Sequence, residues 1–377
     1  MRKTGYYEAL GDTSYFIPYS LPPKDPKIDI SGELALLYGE SMHRLGLLSE
    51  MAERLPDLNR FIKAYVIKEA LLSSAIEGIH TTIQEVYTQS LEPNKAKKET
   101  QLVLNYTVSL ELALKLIEEE SLPIVSRVIL SSHEALMRLG EGDQASPGQY
   151  RKQAVRVGEH VPPPASQVIE LMSELEKFIN TDQSLPPLIQ AGLAHVQFEI
   201  IHPFLDGNGR IGRLLIVLML IKHRLLLAPI IYPSYFFKKN HAEYYQRLDA
   251  VRTKGDFEGW IVFYLEAIRE SAHDAYQRVK DIEKLEKDIR KKIKSSPSFQ
   301  RTQESAFQAL NYLFQKPIMS ISDLASHLGK SYNTSHHLIS SFIELGFLEE
   351  ISEQKRHKLF RFSLYLNLLE KDYLNNL

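Results

Sequence analysis

Apolar residues recur every three or four positions over most of the first 280 residues, the spacing of helices that bury one face. Leu34, Leu37, Tyr38, Leu45, Leu48, Met51 and Leu55 predict a first long helix. A second starts near Asp57-Leu58-Asn59 and runs through Ile62, Val66, Ala70 and Leu71 to Ile76. Glu92-Pro93-Asn94 breaks the chain, and helices follow at about 98–119 and 124–139. Residues 1–30, rich in Pro and Tyr, read as irregular.

Two short segments, near Ala154-Val155-Arg156-Val157 and His160-Val161, read as the only strands before about residue 290. They follow a turn at Ser146-Pro147-Gly148, and Gly158-Glu159 would close a hairpin with arms from Arg151 to Val157 and from His160 to Pro162. Three prolines end the second arm, because proline donates nothing to a ladder. Helical spacing resumes from Ser166 to about 180, after Pro186-Pro187 into His202, and over about 212–224, 238–252 and 256–280. Asp281 to Lys294 is highly charged and ends in Ser295-Ser296-Pro297-Ser298, which reads as a domain boundary. Beyond it, Ser320 caps a helix that ends at Leu328-Gly329, and Tyr332 to Leu345 forms another. Phe347 to Ile351 and Leu359 to Phe362 read as two strands joined by a basic loop with Lys355, Arg356, His357 and Lys358. Helix-turn-helix plus hairpin predicts a winged helix.

The 377 residues suffice for two or three domains, and the absence of cysteine excludes disulfides and thiolate metal sites. Net charge of −2 gives no global attraction to nucleic acid. The first residues lack a signal peptide's apolar stretch, and the longest apolar run, Leu214 to Ile221, falls short of the ~20 residues that span a bilayer. The expectation is a cytoplasmic protein without membrane contact.

One stretch carries chemistry: His202-Pro203-Phe204-Leu205-Asp206-Gly207-Asn208-Gly209-Arg210-Ile211-Gly212-Arg213. Gly207 and Gly209 let consecutive N–H groups turn toward one point. The apolar run that follows makes the loop feed a helix N-terminus, where free N–H groups and the dipole favour phosphate. Asn208 adds a side-chain amide to this cradle, and Arg213, one turn into the helix, aims a forked cation at the same anion. Asp206 is a hard oxygen ligand suited to Mg²⁺. His202 can take a proton from an attacking hydroxyl at neutral pH. Phe204 reads as packing.

The stretch matches H-x-F-x-[DE]-G-N-G-R-x-x-R at every specified position, and residues 1 to about 290 resemble the Fic (Fic/Doc) family. The resemblance implies transfer of AMP from ATP to a Ser, Thr or Tyr hydroxyl of a target protein. It implies His202 as base, Asp206 as holder of Mg²⁺, Gly207, Asn208 and Gly209 on phosphates, Arg210 supporting loop and phosphates, and Arg213 on the γ-phosphate. The family's flap, which aligns the target as an added strand, resembles Arg151 to Val161, with Val155, Val157 and Val161 along it; a structural ribbon is the alternative. Ser73-Ser74-Ala75-Ile76-Glu77-Gly78 fits the family's inhibitory motif [ST]-x-x-x-E-[GN], which implies a Glu77 carboxylate that occupies Arg213. Tyr244 and Tyr245 stand where family members place residues near the adenine or in the core.

The expected architecture is an all-α Fic fold with a small β-hairpin flap and a C-terminal winged helix-turn-helix domain. Residues 1–97 form a helical region with the inhibitory helix, 98–290 the catalytic core and 295–377 the winged helix. The expected function is an autoinhibited protein adenylyltransferase using ATP and Mg²⁺. Rival readings are related Fic chemistry, such as AMP removal or phosphorylation, and a DNA-binding regulator whose core senses nucleotide. Candidate partners are a hydroxyl-bearing target protein, the chain itself included, a second copy of the chain, and DNA or protein at the winged helix. Every catalytic candidate lies upstream of Ser295, so the C-terminal module is expected to be dispensable for chemistry.

Overall fold

A computed structural model describes residues 2–54, 58–89, 91, 97–138, 146–352 and 358–371. Its elements in chain order are β1 (Gly5–Leu10), β2 (Thr13–Pro18), α1 (Gly32–Arg54), α2 (Leu58–Ile76), α3 (Ile83–Gln89), α4 (Lys98–Glu118) and α5 (Ser126–Leu136). Then come α6 (Val168–Thr181), α7 (Pro187–Ile201), α8 (Asn208–Lys222), α9 (Ser234–Lys239), α10 (His241–Lys254) and α11 (Phe257–Ser295). The C-terminal part holds α12 (Gln303–Gln315), β3 (Ile318–Ser320), α13 (Ile321–Leu328), α14 (Tyr332–Glu344), β4 (Glu349–Glu350), β5 (Leu359–Arg361) and α15 (Ser363–Glu370). The break expected at Glu92-Pro93-Asn94 lies outside the described residues. Among the described residues, no helix is long and apolar enough to cross a membrane.

The centre is the pair α7 and α8, which pack against each other. Leu188, Ile189, Leu193, Val196, Phe198 and Ile201 of α7 and the run from Leu214 to Leu220 of α8 are buried. A helix that is apolar on every side belongs inside a larger protein, and here α2, α4, α6 and α11 surround the pair. Gly192 is required in α7: a Cβ there would overlap the Tyr264 ring, and its carbonyl accepts the Trp260 indole N–H at 2.8 Å.

Three expectations fail. Residues 1–30 are not all irregular, since β1 and β2 pair antiparallel from Gly5 with Pro18 to Leu10 with Thr13. Gly11-Asp12, with Gly11 at φ 60°, makes the two-residue turn. The tyrosines on both faces hid the alternation, because aromatic side chains suit either face of an exposed ribbon.

The hairpin expected at Arg151 to Pro162 is reduced to one bridge, Val157 with His160, closed at Gly158 (φ 57°). Its arms bond elsewhere. The Arg151 N–H donates to the Pro203 carbonyl, and the Val161 carbonyl accepts from Phe16 N–H of β2 at 3.0 Å. The segment is therefore stitched to the His202 loop on one side and to β2 on the other.

The helix expected over about 256–280 runs longer. α11 runs unbroken to Ser295, because Ile282, Ile289 and Ile293 keep a buried stripe through it. The helix expected at 238–252 is α10, and α9 precedes it, separated at Asn240, whose side chain donates to the Phe236 carbonyl.

Past α11, Ser320 and Asp323 form a capping box at α13, which ends at Gly329 in the left-handed region. α13 and α14 pack together, and β3, β5 and β4 form an antiparallel sheet with β5 in the middle. Lys355, Arg356 and His357 lie outside the described residues; Lys358 pairs with Glu350 at 2.9 Å. α12, β3 and α15 were not expected.

Candidate active site

α7 ends at His202, which adopts the left-handed conformation (φ 51°, ψ 62°), while Pro203 prevents any continuation of the helix. The loop turns back through Gly207, also left-handed (φ 77°), into the first turn of α8. Asn208 staples this loop. Its Oδ1 accepts the Phe204 N–H at 2.8 Å and its Nδ2 donates to the Phe204 carbonyl at 2.9 Å. The side chain expected to add an amide to a phosphate cradle thus bonds the loop's own backbone. Phe204 stacks on His133 at 3.7 Å. That histidine, missed in the sequence, braces the loop: its Nδ1 accepts the Gly148 N–H, and Nε2 bonds the Asp206 carbonyl at 3.0 Å. Burial lowers its pKa to about 4, so it stays neutral.

Two arginines lie beneath the first turn of α8. Arg210 is 2 % exposed, and its Nη2 lies 3.5 Å from Asp206 Oδ1. Arg213, 1 % exposed, donates from Nη2 to Glu77 Oε1 at 2.7 Å and to the Ser73 carbonyl at 2.9 Å, and from Nε to Ser73 Oγ at 2.9 Å. Burial opposes this charge most strongly, but Glu77, Tyr244 and Glu199 together hold the pKa above its ordinary value. α2 ends right there. Ile79 N–H returns to the Ser74 carbonyl, and Gly78 takes φ 78°. Glu77 is therefore the first residue past α2, and the following glycine makes the turn beneath it. At Gly209, a Cβ would overlap Glu77 Oε1. The carboxylate thus occupies the first turn of α8 as well as the arginine, where an anion is favoured.

His202 lines a cavity of about 410 Å³ together with Val157, His160, Glu199, Tyr245 and Leu248. Burial lowers its pKa to about 4, only partly offset by a bond to the Glu199 carbonyl. The ring is neutral at pH 7 and keeps one nitrogen able to accept a proton. Glu199, also missed, is pushed to about 8 by burial, against the pull of Arg213 and with the repulsion of Glu77. Its Oε1 has no partner among the described residues, and a Cβ at Gly212 would overlap it. The signal was present: a glutamate one helical turn before His202, on a helix with no other Asp, Glu, Lys or Arg.

The expected site residues are only partly assembled. Tyr245 is 40 % exposed on the cavity wall, whereas Tyr244 is buried, bonded to His195 Nε2 at 2.8 Å and stacked on Phe237. Arg151 turns its guanidinium inward. It is buried and donates to the carbonyls of His202, Gln153, Pro163 and Ile201. Val157 is exposed, while Val155 and Val161 are half-buried. Asp206 is half exposed, with Oδ1 accepting the Gly207 N–H at 2.6 Å. A single carboxylate beside an anion site suits a hard divalent cation that takes its other ligands from phosphate and water. Among the described residues, no cluster of three or more His, Cys, Asp or Glu could hold a metal.

Residues 36–115 match the N-terminal region of the Fic/DOC family and residues 123–220 match the Fic/DOC family itself. The chain is 28 % identical over 270 residues to protein adenylyltransferase Fic of Drosophila grimshawi, covering 67 % of this chain and 54 % of that protein. It is 32 % identical over 197 residues to that of Drosophila willistoni, covering 49 % and 38 %. The chain spans about half the length of the first of these relatives. A crystal structure of a Fic family protein from Desulfovibrio desulfuricans G20 superposes with TM-score 0.57 at 25 % identity, covering 89 % of this chain and 97 % of that one. Fic-1 (residues 134–508) from C. elegans superposes with TM-score 0.50 at 19 % identity, covering 66 % and 74 %, a likeness of fold. The chain therefore contains a Fic/DOC family domain preceded by a Fic/DOC N-terminal region.

Proposed function

We propose that this chain is a protein adenylyltransferase, moving AMP from ATP to a Ser, Thr or Tyr hydroxyl, and that Glu77 restrains it. One observation carries the reading: a neutral histidine stands at the mouth of an anion site that an internal carboxylate already fills. The names of the curated relatives support the same activity.

With Glu77 withdrawn, Arg213 takes the γ-phosphate of ATP, and the N–H groups of the first turn of α8 face the other phosphates. Arg210, Gly207 and Gly209 shape the loop around them, and Asn208 keeps it in register. The apolar cavity wall and Tyr245 receive the nucleoside. The free nitrogen of His202 accepts the proton of the target hydroxyl. The hydroxyl oxygen then bonds to the α-phosphorus, and the bond from that phosphorus to the bridging oxygen breaks, releasing pyrophosphate. Asp206 is the residue that would hold Mg²⁺, whose charge would offset that of the leaving pyrophosphate. We read Val157, at the tip of the segment above His202, as the edge along which the target lies. Main-chain groups of the segment beside Val157, rather than Arg151, would do the aligning.

We assign residues 1–97 to the region carrying the inhibitory helix, 98–290 to the catalytic core and 295–377 to a winged helix. α14 presents Tyr332, Asn333, His336 and His337 outward and carries no Lys or Arg, which disfavours phosphate contact along that helix. We read the module as a protein-contacting one.

The test is incubation of Glu77→Gly protein with a mixed protein extract and ATP labelled at the α- or the γ-phosphate. AMP transfer labels proteins from the α position alone. Label from the γ position alone would replace this reading with phosphorylation, and loss of pre-attached AMP with the reverse reaction.

A further inference from the structure

Glu77 stands at the bend between two segments that both rest on the C-terminal module. Upstream, α2 packs on α12, and the buried Lys68 donates from Nζ to the Leu369 carbonyl of α15 at 2.8 Å. Its ammonium also sits 4.8 Å from the centre of the Tyr232 ring. Downstream, α3 packs on β3 and on α15. Next to Lys68, the buried Arg278 of α11 pairs with Asp274 at 2.8 Å. It also donates to the Leu368 and Lys371 carbonyls, and from Nε to the Tyr232 hydroxyl at 3.0 Å. Two buried cations thus take up the carbonyl end of α15, where the helix dipole is negative. Losing the module would take one carbonyl partner from Lys68 and two from Arg278.

α2 is gripped at three levels. Lys68 is held by the module, Glu69 by the Ser234 hydroxyl of α9, and Ser73 with Glu77 by Arg213. Of these partners, Arg213 lies within residues 36–220, which span the Fic/DOC matches, whereas Ser234 and Leu369 lie beyond them, Leu369 in the C-terminal module. Lys68 and Ile76, the last residue of α2, are eight residues apart on one continuous helix, about 12 Å at 1.5 Å per residue, and Glu77 follows directly. A helix of that length moves as a rod, so a shift at Lys68 is felt at Glu77.

We propose that the C-terminal module sets the position of Glu77, so that loosening it from α2 and α3 withdraws the carboxylate from Arg213. The module is then a regulatory domain acting through Lys68 and Leu369, not an appendage. This rests on the reading that Glu77 restrains AMP transfer.

The test uses the full chain, with transfer from α-labelled ATP measured for wild type, Lys68→Met, Leu369→Ala and Glu77→Gly, and for each of the first two changes combined with Glu77→Gly. Lys68→Met keeps the buried stem and removes the donor; Leu369→Ala loosens α15 without touching a charge. Each should raise transfer by about threefold to tenfold, the range one hydrogen bond commands. Neither should raise it further once Glu77 is glycine. Lys68→Arg, which keeps a donor, should stay near wild type. If Glu77→Gly is fast while both module variants, folded by thermal melting, transfer no faster than wild type, the module does not set Glu77. An equal rise with and without Glu77 would also overturn the proposal. If Glu77→Gly itself is no faster than wild type, the restraint reading falls and this proposal with it.

Discussion

Oxygen Oε1 of Glu77 occupies the space that a Cβ would need at residue 209, so Gly209 alone lets the carboxylate reach the first turn of α8. The same oxygen accepts from Arg213 at 2.7 Å. A single carboxylate therefore satisfies both parts of an anion site, the helix N-terminus and the arginine.

Glu77→Gly should accelerate AMP transfer. A charge-assisted hydrogen bond is worth roughly 1.5–3 kcal/mol, so the gain should be about tenfold to a hundredfold. Initial rates with α-labelled ATP measure it. Adding Arg213→Ala should return the rate to wild type or below, because the γ-phosphate then lacks its cation.

Gly209→Ala should abolish transfer even with Glu77 replaced. Its methyl stands where either Glu77 or a phosphate must sit. Calorimetric titration with ATP should show weakened binding in the double variant; unchanged affinity would mean that phosphate does not use the first turn of α8.

His202→Ala, placed on Glu77→Gly, should cut the rate by about 10²–10⁴ while ATP affinity changes little. The pKa of His202 is lowered to about 4, chiefly by burial, so it is a free base above that pH. The rate of Glu77→Gly should therefore rise between about pH 3 and 5 and show no further rise from His202 between pH 6 and 8. A rate that climbs with an apparent pKa near 6.5 would mean the histidine titrates as if exposed.

Glu199 gives a pH dependence of stability with a defined sign. Its pKa is raised to about 8, mainly by burial, whereas an unfolded chain has the ordinary carboxylate value. A raised folded value means stability is fully present below the unfolded pKa and is lost as pH rises through the folded one. Glu199→Gln cannot ionise, so its Tm relative to wild type should climb from about pH 4.5 to 8 and then level off. A constant difference across that range would show the carboxyl to be better solvated than its surroundings imply.

Arg151→Met should destabilise the fold rather than alter target choice. It strips the buried carbonyls of Ile201, His202 and Pro163 of a charged donor, at about 1–3 kcal/mol for each group left unsatisfied. Chemical denaturation measures the loss. Unchanged stability with altered target labelling would restore Arg151 as a docking residue.

Much of the helical framework could be read directly because its cause is local. The 3.6-residue period marked α1, α2, α4 to α8 and the α13–α14 pair, and the twelve residues from His202 marked the loop that joins α7 to α8. Loop glycines, a helix-stopping His202-Pro203 and an apolar run need no distant partner to declare themselves. The Ser73–Glu77 motif was equally legible as a pattern, and the glycine after it is the residue type suited to the left-handed turn that Gly78 makes.

Tertiary structure decided what each polar side chain does. Asn208 turned inward to staple the loop and Arg151 became a brace, because buried backbone carbonyls must find donors, and these two side chains reach them. β2 is tied into the fold because the Val161 carbonyl accepts from Phe16 N–H, a partner 145 residues away that no local period reports. α11 continued through its charged stretch because α12 and the module cover Ile289 and Ile293. Glu199 and His133 acquired displaced pKa values through burial, which is a property of the packed interior. Local sequence determined where the helices and the anion loop lie; only the packing of distant segments decided that Glu77 sits on Arg213 and that the C-terminal module bears on the helix carrying it.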